Sequence, residues 1–289
     1  AVELETREDR FIKKCKADFP AHKWEKSNPI LQEIRGVKEP EEIDIMQTAC
    51  NLTNQGFRRV LPLIKPGIME YEIEAEFMHE FLRNRSKGFA YTPIIASGYS
   101  ACVLHYIENN KPCKDGDMLL MDVGAEYANY SSDMTRTVPV NGRFTDRQKA
   151  IYNAVLRVKN EATNMLVPGT LWAEYHKEVG KLMTAELLTL GLIDKADVQN
   201  ENPDWPAYKK YFMHGTSHHM GLDTHDYGAL KTPMKAGMVF TVEPGIYIPD
   251  ENMGVRLEDD VVIQEKGTPF NMMRDIPIEI EEIEDLMNS

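Results

Sequence analysis

The chain has 289 residues, with 33 Lys+Arg against 46 Asp+Glu and a formal net charge of -13. That length supports one catalytic domain with a sizeable core, and that charge repels phosphate backbones and anionic lipid, which argues against nucleic-acid and membrane partners. Four widely spaced cysteines without a C-x-x-C pair (Cys15, Cys50, Cys102, Cys113) read as reduced thiols of a cytoplasmic protein, and the charged start AVELETREDR reads as neither a signal peptide nor a membrane span.

Residues 1–37 are mixed and partly basic, with KKCK at 13–16 and no sustained period, and are expected to form a lead-in to a catalytic domain over 38–289. Pro40 then opens a helix, with acids in its first turn and apolar residues at helical spacing up to Pro66-Gly67. MEYEIEAEFMHEFLRNR predicts a second helix ending near Gly88, and YTPIIASGYSACVLHY predicts strand with a turn at Ser97-Gly98. Two strands follow over about 117–140.

The order then begins again. FTDRQKAIYNAVLRVKNEATNML is helical, breaks at Pro168-Gly169, and leads to the helix LWAEYHKEVGKLMTAELLTLG. The polar, Pro-containing DKADVQNENPDWPAYKK reads as surface loop, and strands return near 237–263. Two copies of helix, helix, strands predict a duplicated α+β domain around antiparallel strands.

Each half ends in a hairpin with a pair of acids. In DMLLMDVGAEYANYSSDMTRTVPV a turn near Ala128-Asn129 places residues 133 to 135 opposite Asp122, and either odd partner puts Asp122 and Asp133 on one face. An arbitrary aspartate pair is more often exposed on a solvated sheet, but the apolar flank MLLM argues against that here. In GMVFTVEPGIYI, PDENMG, VRLEDDVVI the turn places Glu243 opposite Glu258, and Pro244-Gly245 predicts a bulge that re-aims Glu243. Asp259 falls on the other face by strand alternation.

HGTSHHMGLDTHD holds four of the eight histidines, at 214, 218, 219 and 225. Flanking Gly215 and Gly221, and the absence of an H-E-x-x-H glutamate, reject a helical zinc pair. His219 reads as a structural histidine. His218 has the company of Asp122, Asp133, Glu243 and Glu258, a mainly oxygen-donor set suited to Mn²⁺ or similar ions. His105, in CVLHYIEN, would by itself be an ordinary core histidine.

These blocks together resemble the pita-bread metallopeptidases, the group of methionine aminopeptidase, prolidase and aminopeptidase P, over residues 38–289. LLMDVGAEYANYSSDMTRTVPVNGRFT, MHGTSHHMGLDTHD, GMVFTVEPGIYI and GVRLEDDVVI are most similar to the four blocks of aminopeptidase P (Xaa-Pro aminopeptidase), in the same order. The resemblance implies a pita-bread fold with a curved antiparallel sheet, and two divalent ions, Mn²⁺ first with Co²⁺ or Zn²⁺ as substitutes. Asp122, Asp133, His218, Glu243 and Glu258 would bind them, with Asp133 and Glu258 bridging. It further implies that Glu243 takes a proton from water and that His225 and His105 bind the substrate carbonyl. His214 and Arg256 would face substrate too, with Tyr247 beside the site. Bacterial aminopeptidase P carries an N-terminal creatinase-like domain where this chain has about 36 residues.

The expected activity is hydrolysis of the Xaa-Pro bond at a free peptide N-terminus, the partner being a peptide with proline second; a homo-oligomer is left open. The rival is prolidase, limited to Xaa-Pro dipeptides, although the serine of HGTSH favours aminopeptidase P. A metal-free pita-bread binding module is the alternative from another class, but such proteins have lost ligands that this chain keeps.

Overall fold

A computed structural model describes residues 5–289. The lead-in is helical where no period predicted it: α1 spans Arg7–Asp18 and α2 spans Asn28–Gly36. α1 buries no side chain, so no apolar stripe marks it; it is specified by its cap, where Thr6 and Asp9 exchange hydrogen bonds of 2.9 and 3.1 Å. The first four residues of the lead-in lie outside the described ones.

The predicted helix pair follows. α3 (Pro40–Val60) starts with Pro at its first position and with the Glu42 carboxylate accepting the Glu39 N–H at 2.8 Å. Met46, Ala49, Cys50, Thr53, Phe57 and Val60 form its buried stripe, which packs against Ile73, Phe77 and Phe81 of α4 (Glu70–Arg83). β1 (Ile94–Ser97) comes next, but the chain after it coils into a 3-10 turn over Gly98–Cys102 instead of continuing as strand.

β2 (Met118–Val123) and β5 (Met134–Pro139) enclose a short outer hairpin, β3 (Glu126–Tyr127) and β4 (Tyr130–Ser131). Its turn residues Ala128 and Asn129 have φ of 50° and 72°, the left-handed pair that matches strand twist in a two-residue hairpin. The second half repeats the layout with α5 (Asp146–Asn164) and α6 (Trp172–Thr189), α5 beginning at a Thr145–Gln148 capping box. The segment read as loop holds a short helix, α7 (Lys195–Gln199), again nucleated by reciprocal capping, between Asp194 and Asp197.

The last strands are β6 (Val239–Val242), β7 (Gly245–Ile248), β8 (Met253–Arg256), β9 (Asp259–Val262) and β10 (Phe270–Asn271), before the terminal helix α8 (Ile280–Met287). All pairing is antiparallel. The expected single curved sheet is realised as ladders β1-β2-β5, β10-β9-β6, β3-β4 and β7-β8. The breaks occur where acids turn inward, and an isolated bridge, Thr135↔Glu258, joins the two halves there. α4 packs on β1 and α5 on β6, β7 and β8, so helices cover the outside of the strands and the inner face is left to the site. Among the described residues no helix is long and apolar enough to cross a membrane.

Candidate metal centre

The first acid pair follows from register. Thr135 stands opposite Asp122, one of the two partners the turn allows, so Asp133 lies diagonally from Asp122 on the same face. Gly124 permits the departure from regular pairing just after Asp122: a Cβ there would stand 1.7 Å from the Ser132 carbonyl oxygen.

The second pair sits in a gap. Val242↔Asp259 closes one ladder and Gly245↔Arg256 opens the next, which leaves Glu243 and Glu258 facing one another between them, as the hairpin register requires. Their N–H groups are freed from the ladder and go elsewhere. Glu243 donates to the Thr216 carbonyl at 2.8 Å, and Glu258 donates to the Thr135 carbonyl at 3.0 Å. One bond stitches in the histidine segment, the other the first hairpin. His218 is held by its own exchange with Thr241, donating to Oγ1 at 3.2 Å and accepting the Thr241 N–H at 3.1 Å.

The result is a cavity of about 510 Å³ lined by Asp122, Asp133, His218, Glu243 and Glu258, with His105, His214, His225 and Arg256 at its walls. Asp133, His218 and Glu258 each offer a ligand atom within 4.8 Å of the others. The His218 Nδ1 meets the His219 carbonyl at 3.0 Å, so Nε2 is the nitrogen that faces Asp133 Oδ2, at 3.4 Å, and Glu243 Oε1, at 3.9 Å. His225 stands edge-on to the His218 ring at 4.3 Å.

This donor set fits divalent cations on electrostatic grounds. Burial, then repulsion from Asp133, Glu243 and Asp122, pushes Glu258 well above the ordinary carboxyl range. Burial is also the main cause that raises Glu243 to about 7, and Asp122 is raised by burial and by Asp133 against the pull of Arg256. Burial works against a charged His218, yet its hydrogen bond to Asp133 and the charges of Asp133 and Glu243 raise it to about 9. Without cations these acids repel one another and favour holding protons; a cation cluster removes that cost.

Two of the predicted residues are tied into the wall of the cavity. Tyr247 does not line the cavity: it is fully buried, and its hydroxyl lies 2.7 Å from His214 Nε2 and 2.9 Å from Arg256 Nη1. The β7–β8 register puts it on the same face as Arg256, whose guanidinium covers it, and from there it steadies the residues expected to touch substrate. Arg256 is committed on three sides, donating to Asp122 Oδ2 at 2.5 Å and Thr135 Oγ1 at 3.1 Å besides Tyr247. His214, buried beside the Arg256 charge, is lowered to about 3 and stays neutral. His219 is a structural histidine, packed in a cluster with Trp172 and Phe240.

Sequence reasoning missed three residues. Tyr91 lines the cavity, with its hydroxyl 2.6 Å from both Asp122 Oδ1 and Asp133 Oδ1; it heads the segment read as strand but precedes β1, so no strand face marked it. Thr135 donates to Glu258 Oε2 at 2.6 Å, and the register that found Asp133 places Thr135 on the same face. Arg136 is fully buried behind the site, donating to the Glu258 carbonyl at 2.7 Å and the Thr135 carbonyl at 3.0 Å.

Comparison with known proteins agrees with this geometry. The chain is 40% identical over 272 residues to Xaa-Pro aminopeptidase of Haemophilus influenzae, covering 90% of this chain and 63% of that protein. It is 41% identical over 271 residues to Xaa-Pro aminopeptidase of Escherichia coli, covering 90% of this chain and 61% of that one. The chain thus spans less than two thirds of these relatives' length. The structure of aminopeptidase P from E. coli with the inhibitor Pro-Leu superposes with a TM-score of 0.89 at 35% identity, over 99% of this chain and 69% of that one. The profile of metallopeptidase family M24 matches residues 44–265, a stretch that contains all five candidate acid and imidazole ligands, and the chain belongs to that family.

Proposed function

We propose that this chain is the metal-bearing part of an aminopeptidase that hydrolyses the Xaa-Pro bond at the free N-terminus of a peptide. One observation carries the reading: buried Asp133, Glu258 and half-buried His218 converge within 4.8 Å in a cavity walled by histidines, in a chain about two-fifths identical to Xaa-Pro aminopeptidases. Asp122, Asp133, His218, Glu243 and Glu258 would hold two divalent cations, Asp133 and Glu258 serving both. When bound, such ions supply Lewis acidity toward the scissile carbonyl and toward water. We take Mn²⁺ as the native ion, because four carboxylates and one imidazole form a hard donor set.

The protein's own groups divide the remaining work. Glu243, at the cavity between Glu258 and His218, is placed to accept a proton from the attacking water. His105 and His225 reach the cavity from exposed loops and are placed to donate to the oxygen that gains charge as the carbonyl becomes tetrahedral. The carboxylate end receives the free α-amine. Ile94, Leu104 and Ile107 give apolar wall for a pyrrolidine ring, whose amide offers no N–H to be satisfied. The four free thiols support a reducing, cytoplasmic setting.

The test is an assay of Xaa-Pro-Yaa, Xaa-Pro and Xaa-Ala-Yaa peptides with added Mn²⁺, Co²⁺ or Zn²⁺. Release of the first residue from Xaa-Pro-Yaa alone is the expected result. Cleavage of only the dipeptide would replace this reading by prolidase, and no cleavage with any ion would favour a binding module.

A further inference from the structure

His225 lies in an irregular loop, yet something must hold it at the cavity. The residue after it, Asp226, provides the grip, because its side chain is 1% exposed while its neighbours His225 and Tyr227 are exposed. Two cations from outside the family-matched stretch converge on that carboxylate. Arg35, in the last turn of α2, reaches Asp226 Oδ1 at 2.5 Å and also Asp223 Oδ2 at 2.7 Å. Lys38, in the link to α3, is 2% exposed and lies 3.7 Å from Asp226 Oδ2.

The surroundings show that the packing is built for this contact. Gly221 leaves room for the contact, since a Cβ there would stand 2.4 Å from Asp226 Oδ2 and 2.8 Å from Lys38 Cε and push the pair apart. The Asp226 N–H donates to the His219 carbonyl at 2.9 Å, closing the loop on itself, and the Arg35 guanidinium lies 5.1 Å from the Tyr227 ring centre. Among the described residues the buried Lys38 ammonium has no hydrogen-bond partner, and its nearest compensation there is Asp226.

We propose that Arg35 and Lys38 are positioning residues: α2 and its link latch the 222–231 loop through Asp226 and thereby fix His225 at the cavity. The lead-in is then a working part of the site. The latch acts through the backbone of residue 226, one peptide from His225, so its loss frees the imidazole without removing any metal ligand.

This inference rests on the role proposed for His225, so its test has a readout that needs no substrate. Hydrogen exchange of amides 222–231 is measured in the full chain for wild type, Arg35→Ala and Arg35→Lys, with the amides of β2 and β5 as the folding control. Arg35→Ala is expected to raise exchange in the loop by about tenfold or more with the control unchanged, and Arg35→Lys, which keeps the charge, to fall between. In the Xaa-Pro-Yaa assay kcat of Arg35→Ala is expected to drop about ten- to a hundredfold while Mn²⁺ affinity holds. Wild-type exchange in the loop overturns the latch, whatever the peptidase assay gives. Raised exchange with unchanged kcat and KM overturns the positioning of His225. A silent assay of the wild type counts against the proposed function and leaves the exchange result to decide the latch.

Discussion

Replacing Asp259 by asparagine tests the layer beneath Glu258, and the structure sets both the size of the effect and its ranking against neighbouring changes. Asp259 is 2% exposed and is the shared anion of two buried cations, Arg136 at 2.6 Å and Lys159, which are 0% and 3% exposed. Asparagine would leave both cations without their counter-ion, a loss of about 3–5 kcal/mol for a broken buried pair. At roughly 2 °C per kcal/mol for a chain of this size, Tm should fall by about 6–10 °C. Lys159→Met removes a cation that burial already disfavours and leaves the Arg136–Asp259 pair intact, so its cost should stay below about 1.5 kcal/mol, or roughly 3 °C. Arg136→Met falls between, because Lys159 still balances Asp259 while the carbonyls of Glu258 and Pro277 lose the guanidinium and that of Thr135 keeps only the Glu258 N–H. Thermal unfolding by circular dichroism on chelated protein gives the ranking directly. A Lys159→Met variant as unstable as Asp259→Asn, or an Asp259→Asn variant within 2 °C of wild type by this measure, would refute the argument.

Other outcomes follow from the same geometry. Glu258→Gln should abolish peptide hydrolysis and also remove the metal-dependent rise in Tm, which in wild type should reach about 2.7 kcal/mol, or roughly 5 °C, at a hundred times the Kd; a normal rise in the variant would exclude Glu258 as a ligand. Tyr91→Phe deletes the hydroxyl beside Asp122 and Asp133, and titration calorimetry should show metal affinity weaker by about ten- to a hundredfold. The pH dependence of stability should change sign with metal. In chelated protein His218 and Glu243 have raised values, about 9 and about 7, so their contributions are complete below 6.5 and 4.5 and are lost as pH rises through about 9 and about 7. Chelated protein should therefore melt higher at pH 6 than at pH 9, whereas metal-loaded protein, whose ligands must be deprotonated, should do the reverse; parallel trends would contradict the ligand set.

Several of these features were legible in the sequence because they are local. Strand alternation has a period of 2, so a turn position is enough to put Asp122 with Asp133, to set Glu243 against Glu258 and to send Asp259 to the opposite face. Caps and apolar spacing defined α3 to α6 in the same way. α1 and α7 escaped that reading because they bury nothing, and only their capping pairs betray them. The resemblance places Tyr247 beside the site, and the fold shows how it stands there, one layer back and bonded to His214 and Arg256.

The sequence alone thus determined that the chain makes two similar hairpins with same-face acids and a histidine segment rich enough to join them. Folding decided how they meet. The Thr135↔Glu258 bridge, Tyr91 between two aspartates, the Arg136–Asp259–Lys159 cluster and the hold of Arg35 on Asp226 each link residues far apart in the chain. No short-range period carries such pairs, and a charged residue in the sequence looks the same whether it will meet water or a buried counter-charge; only the packing of the two halves around one cavity distinguishes them.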